Sequence, residues 1–403
     1  MAKQKFSPQL KHWRSRNKNQ LLLVIATLFW MGLYTYPSLF TPYLEGIGAT
    51  LTQSGLILGG YGFTQMILRL PLGIWSDYLQ KKKSFVIAGM TFALISALGL
   101  MFTHEIRLIF IFRAMGGVAA AFWVQISALY MNYNADNSTT AVGHLGFVNS
   151  AGIIAATFIG GQIIARFGYP QGFGLGAVFA AIGLLLCLLL PEDQAPSKEE
   201  AEAGLPVLEG LKLSLSDKGL IWGSFFAAVT QFLSYSGAQG FVPQYAANLG
   251  LSASQISIMV TINKAASLLA IVLVSQVLLR YFRLKQILTV SMLINTLLLF
   301  SIPLARNYLT LLIIMFFLGI VSTTQMTYFM DAATSHIPSK RRATGLGFFQ
   351  AVYGIGMVVG PTVTGAVADL CSLSQAFLVT AFVGLAAVVL MIWKLPDRGA
   401  IRK

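Results

Sequence analysis

Three basic side chains fall inside long apolar stretches of the sequence: Arg69, Arg113 and Lys264. A charge at the centre of a bilayer costs roughly 2.5 to 3.5 kcal/mol even on the gentlest scale, so such groups point to chemistry. Lys264 stands about ten residues from one end of its apolar run, roughly 15 Å deep in a hydrocarbon layer of about 30 Å. No carboxylate shares that depth. Glu45, Glu105 and Asp369 fall at one set of segment ends, and Asp77, Asp136 and Asp331 at the other. An ammonium so placed loses its proton, finds water and carbonyls, or is neutralised by a bound anion. The expectation is that Lys264 receives an anion or acts as a protonatable coupling group. The alternative is a lysine in a wet cavity, bridged to polar neighbours such as Asn263.

Arg113 lies shallower, where it either snorkels or serves as a hydrogen-bond hub between helices, with a binding role weighed equally. Arg69, one turn before Pro71 and Gly73, is expected at a gate rather than at a binding site. Polar and aromatic pairs at helical spacing add a candidate lining: Tyr61 with Gln65, Gln231 with Tyr235, and Gln325 with Tyr328. Trp30, Tyr34, Asn149, Gln350 and Tyr353 are further candidates. Each alone is more often a bond between helices than a ligand contact, and about half are expected to face a central cavity. Gln125 and Trp123 do not share a face with Arg113. Enzyme signatures are missing: the four histidines are scattered, with no His-Glu-x-x-His helix and no Gly-x-Ser-x-Gly elbow. Cys187 and Cys371 have no metal or redox spacing. The expectation is neither an enzyme nor a metal or cofactor binder.

The elements that must position these residues are apolar helices. Of 403 residues, 56% are hydrophobic and 10% charged, and the mean hydropathy of +0.71 exceeds what a soluble domain of this length can hide. Apolar runs fall near 20–43, 52–76, 84–103, 107–131, 141–165 and 170–190. Six more fall near 218–244, 252–279, 284–304, 308–330, 343–366 and 373–393. The expected fold is an all-α membrane protein of twelve transmembrane helices in two pseudo-symmetric six-helix bundles, residues 20–190 and 218–393. A basic tail (1–19), an acidic, proline-bearing linker (191–217) and a short tail (394–403) are all expected to be cytoplasmic. Segments so assigned to the inside hold twenty-two Lys and Arg, and those outside only Arg107, Arg166 and Arg306. That sorting is the positive-inside bias, and it explains a net charge of +14 without nucleic acid. The halves repeat at an offset near two hundred residues. Phe40-Thr-Pro42 with Gly48 matches Phe241-Val-Pro243 with Gly250, and Gly143 and Gly152 match Gly345 and Gly354.

Between the second and third runs lies Gly73-Ile-Trp-Ser-Asp77-Tyr-Leu-Gln-Lys81-Lys82-Lys83. Gly73 admits a close helix, Asp77 suits a helix N-terminus, and the lysines hold the turn inside. The stretch resembles the cytoplasmic motif of the major facilitator superfamily of transporters. Gly73, Asp77, Lys81 and Lys82 stand in the motif's places, while Tyr78 and Gln80 depart from it. Arg113-Ala-Met-Gly116-Gly117 is similar to a second family element, with Gly116 where Gln is usual. Gly143, Gly152, Gly160 and Gly161 resemble the antiporter glycine ladder, with Ala156-Thr157 where Gly-Pro is expected. The resemblance implies alternating access about a site between the halves, in symport or antiport, with Asp77 contacting the start of the eleventh helix near Arg341. Lys264 then favours a small organic anion or anionic amphiphile, moved by exchange or with protons, as a monomer in a bacterial-type inner or plasma membrane. The runner-up is a proton-coupled exporter of lipophilic drug-like compounds, and a non-transporting membrane sensor on the same fold is the alternative of another class.

Overall fold

The computed structural model describes residues 8–79, 81–134, 138–191, 216–335, 337 and 339–394, and it is a stack of helical rods with no strand among those residues. In hydrocarbon every backbone N–H and C=O must find its partner within the chain, which leaves helices as the economical solution. Span 1 runs Pro8–Tyr34, tightens into a 3-10 turn at Pro37–Leu39 and resumes as Phe40–Gly46. Spans 2 and 3 are Leu51–Leu79 and Lys82–Phe102. Span 4 is broken at Phe122 into Ile106–Ala121 and Trp123–Tyr133. Spans 5 and 6 are Ser138–Phe167 and Tyr169–Leu189. In the second half, span 7 runs Lys218–Ser236, widens into a π-type turn at Gly237–Phe241 and resumes as Val242–Asn248. Spans 8 to 12 are Ala253–Tyr281, Leu284–Ser301 with a 3-10 turn Ile302–Leu304, Tyr308–Thr334, Ser339–Leu370 and Leu373–Lys394. Ten of these rods are long and apolar enough to cross a membrane on those grounds alone; spans 2 and 7, which carry much of the polar lining, fall short. Most of the linker expected at 191–217 lies outside the described residues.

The internal repeat is visible atom by atom. Gly48 and Gly250 both take positive φ, 88° and 82°, where a Cβ would be strained, and each ends a short helix. The next helix then starts alike in both halves: Thr50 N–H donates to Gln53 Oε1 at 2.9 Å, and Ser252 N–H to Gln255 Oε1 at 3.0 Å. At the other end of the bundle, Lys83 Nζ donates to the carbonyl of Leu190 at 2.6 Å and Lys285 Nζ to that of Ile392 at 2.8 Å, each closing a helix C-terminus. All of these pairs are related by one step of 202 residues (48 to 250, 50 to 252, 83 to 285, 190 to 392).

The halves meet mainly along two helix pairs, span 2 with span 11 and span 5 with span 8. The first pair runs antiparallel, from Leu51 against Asp369 to Leu70 against Gly347. It is close because a methyl at Gly55 would collide with the carbonyl of Pro361, and one at Gly365 with that of Leu51. The end carrying Asn17 and Lys394 is termed terminal here, and the end carrying Gly48, Gly168 and Gly250 distal. The distal end is shut between the halves. Thr41 Oγ1 donates to Gly240 O at 2.9 Å, Ser254 Oγ to Gln162 Oε1 at 2.7 Å and Ser257 Oγ to Thr157 O at 3.0 Å, and Gln244 Nε2 donates to Glu45 Oε2.

Candidate functional site

The breaks in spans 1 and 7 fall past the middle of their rods, towards the distal end, and aromatic side chains gather beside them. Arg113 of span 4 is 5% exposed, with its guanidinium stacked on the Tyr61 ring at 4.1 Å and flanked by Tyr36 at 5.4 Å and Phe40 at 5.5 Å. Its Nη1 donates to the Tyr36 hydroxyl at 2.8 Å, while Nε has no partner among the described residues. Ring faces and one phenol thus do the work a carboxylate does elsewhere. Tyr34 lies within interaction range of both Tyr61 and Tyr235, which brings spans 1, 2 and 7 together, and Tyr353 of span 11 approaches Tyr235. Trp30 meets Tyr34 edge-on at 5.7 Å and Trp123 at 5.2 Å, so an aromatic wall continues into span 4 below its break.

Arg69 crosses between the halves. Its Nη1 donates to Gln350 Oε1 at 3.1 Å and to the Tyr353 hydroxyl at 2.8 Å. The residue expected at a gate therefore joins two residues expected in the lining. Gln65 is buried, and Gln231 is partly buried on span 7. Lys264 is partly buried, and its ammonium has no hydrogen-bond or ion-pair partner among the described residues. It stands seven residues from Ser257, hence on the face that Ser257 turns towards Thr157 of span 5. About two turns below Thr157 on span 5, Asn149 keeps a buried Oδ1 with no partner among the described residues.

Two expected lining residues, Asn263 and Gln325, are used elsewhere. Asn263 Nδ2 donates to Met315 O of span 10 at 2.7 Å, so it does not bridge Lys264; adjacent helical positions point about 100° apart. Gln325 is fully buried and accepts from Asn295 Nδ2 of span 9 at 3.0 Å, inside the second half. Tyr328, 2% exposed, packs in a hydrophobic core to which both halves contribute. A polar side chain in an apolar bundle takes the nearest helix's groups when they are available. At the motif turn, the Cβ position of Gly73 has nothing within 4 Å, so the close helix expected there is not in place in this state. Lys81 is exposed and Lys82 partly buried, and the side chains of Asp77 and Arg341 lie outside the described residues. The glycine ladder of span 5 serves two neighbours: a methyl at Gly160 would strike the carbonyl of Thr35 and one at Gly152 would sit 3.0 Å from that of Thr27, both in span 1, while one at Gly161 would strike Ser257 of span 8.

Sequence reasoning missed Tyr36 as the partner of Arg113. Tyr34 and Tyr36 would point to opposite sides of a continuous helix, and only the break at Pro37 lets both approach the same cation. Pro37 was the available signal. It also missed that Gln125, wholly buried just past the break in span 4, has both amide atoms unpartnered among the described residues.

A family model described as Major Facilitator Superfamily matches residues 22–333 and 224–403. An uncharacterised MFS-type transporter of Methanocaldococcus jannaschii is 23% identical over 367 residues, covering 89% of this chain and 94% of that protein. Multidrug resistance protein 1 of Bacillus subtilis is 24% identical over 355 residues, covering 86% and 88%. Among solved structures, a bacterial homologue of the human lysosomal transporter Spinster, in an inward-facing and unoccupied conformation, superposes with a TM-score of 0.77 at 15% identity over 99% of this chain and 100% of that one. At that identity the likeness is one of fold.

Proposed function

The chain belongs to the major facilitator superfamily of membrane transporters, and from that premise we propose that it carries a small organic anion or anionic amphiphile by alternating access. The halves, 20–190 and 218–393, rock about a site flanked by spans 1, 2, 7, 8 and 11. The terminal end faces the cytoplasm, as the lysines and arginines sorted to that end argue, and the distal end faces outwards. One observation carries the choice of substrate: the Lys264 ammonium has no carboxylate or other polar partner among the described residues, whereas Arg113 is already engaged by Tyr36 and Tyr61. Lys264 receives the anionic group, the tyrosines and Trp30 hold an apolar or aromatic body, and Arg113 positions Tyr36 and Tyr61. Arg69, with Gln350 and Tyr353, closes the terminal side of the site.

The test is binding and proteoliposome uptake of a panel of acidic compounds by Lys264→Ala and Lys264→Arg. A charge-assisted hydrogen bond contributes about 1.5 to 3 kcal/mol, so Lys264→Ala is expected to lose roughly 10- to 150-fold in affinity, with Lys264→Arg keeping part of it. Full affinity in both variants for every transported compound would remove the anion reading.

The relative from Bacillus subtilis, named for multidrug resistance, favours a second reading in which the aromatic cluster holds lipophilic compounds for export and Lys264 serves proton coupling. Transport of cationic but not acidic substrates in the same vesicles would select it.

A further inference from the structure

We propose that Asp369 is the clasp of the distal gate: its carboxylate, carried at the end of span 11, caps the N-terminus of span 2 only while the two halves are closed on that side. The proposal rests on the alternating-access reading and concerns its conformational equilibrium, not its substrate.

The start of span 2 can be accounted for group by group. A helix leaves its first four N–H groups without intrahelical partners. Here Thr50 N–H donates to Gln53 Oε1 at 2.9 Å and Gln53 N–H to Thr50 Oγ1 at 3.1 Å, both within the helix's own half. The other two are satisfied from the opposite half. Leu51 N–H donates to Asp369 Oδ1 at 2.9 Å and Thr52 N–H to Asp369 Oδ2 at 2.8 Å. Both carboxylate oxygens are used, and the charge faces the positive end of the span 2 dipole.

The internal repeat supplies a control. Span 8 begins with the same device, Ser252 N–H on Gln255 Oε1 at 3.0 Å and Gln255 N–H on Ser252 Oγ at 3.3 Å. No carboxylate is recorded on Ala253 or Ser254 N–H among the described residues, and 202 positions before Asp369 stands Phe167. The span 5 and span 8 seam is held there by a neutral pair, Ser254 with Gln162. The carboxylate clasp is therefore an addition to one seam, not a general feature of this helix start.

Asp369 also sits in the last turn of its own helix, where the dipole of span 11 disfavours a negative charge. Its compensation comes from span 2. When the halves part at the distal end, carboxylate and N–H groups travel with different bundles, so both bonds must break. The stabilisation thus enters the balance between conformations rather than the stability of either half. Because Asp369 is exposed, water offsets part of the loss, and the effect has the size of one helix cap.

The experiment places spin labels at Glu105→Cys and Arg306→Cys, exposed positions in distal loops of opposite halves, in a Cys371→Ser background that keeps the buried Cys187. Distance distributions are measured by pulsed electron resonance in lipid nanodiscs. Asp369→Ala is expected to raise the ratio of distal-open to distal-closed molecules about fivefold, and Asp369→Asn, which keeps shape but loses charge, by less. Distributions that superpose on the parent's in both variants overturn the clasp. So does a lowered unfolding temperature without a shift in distance, which marks a cap that only stabilises span 2. If Asp369→Ala does not fold, the isosteric Asp369→Asn carries the test. Anion uptake by the same proteins is scored separately, so loss of the clasp and loss of the anion reading are told apart.

Discussion

A cation in this fold is handled in one of two ways, and its neighbours decide which. Arg113 is enclosed by Tyr36, Phe40 and Tyr61, so its charge is spent on ring faces and one phenol. Lys264 is left with no partner from the described residues. The sequence put both inside helices and found no carboxylate at the depth of Lys264, but which was already satisfied depended on Tyr36, which no straight helix would turn towards Arg113. Tyr36→Phe removes a hydrogen bond to a buried guanidinium and is expected to cost about 2 kcal/mol, read as a lower unfolding temperature of the purified protein. An unchanged midpoint would mean that Arg113 has another acceptor. Asn263 and Gln325 each have a hydrogen-bond partner inside the second half, which one-dimensional spacing does not reveal.

At the scale of elements, the breaks in spans 1 and 7 and the glycine seam between spans 2 and 11 do most to shape the site. Gly240 has no room for a methyl against the carbonyl of Tyr235, and that crowding accompanies the π-type turn that carries Tyr235 into the cluster. The seam is closed by Gly55, Gly59 and Gly62 on one helix and by Gly354 and Gly365 on the other. Gly55→Val would force the carbonyl of Pro361 away, and overpacking of this kind costs about 1 to 3 kcal/mol. The Glu105 and Arg306 label pair is expected to report a distal-open population raised roughly fivefold or more by this change. A parental distance distribution would show that the seam can yield locally without parting the halves. Helix existence and order were legible from hydropathy, because apolar runs of this length have few other uses. The kinks were not, since Pro and Gly mark where a helix can yield but not by how much.

Over the whole molecule, two copies of one six-helix design, displaced by 202 residues, pack so that span 2 lies antiparallel to span 11. Continued past Leu70 and Gly347, that register sets position 77 level with the start of span 11. One helix pair would then carry an aspartate at each end, Asp369 for the distal gate and Asp77 for the terminal one. In the distal-closed state seen here Gly73 has open space around it, in keeping with a terminal gate that is not drawn tight. Asp77→Ala is expected to favour forms open at the terminal end. Accessibility of single cysteines should rise on that side and fall on the distal side, about fivefold by the magnitude of a helix cap. Unchanged accessibility on both faces would count against this gate.

The sequence by itself determined that this is a polytopic helical membrane protein, that its halves repeat, and which cations stand in apolar helices. Each follows from local composition and period, since a span must be apolar along its own length and basic residues sort by turn. Only the tertiary structure decided that Arg113 is bonded to Tyr36 while Lys264 has no partner among the described residues, that Gln325 bonds within its own half, and that Asp369 caps a helix more than three hundred residues earlier in the chain. These depend on how rods pack and bend, and a side chain chooses its partner across a helix interface whose rotation and kink no single stretch of residues encodes.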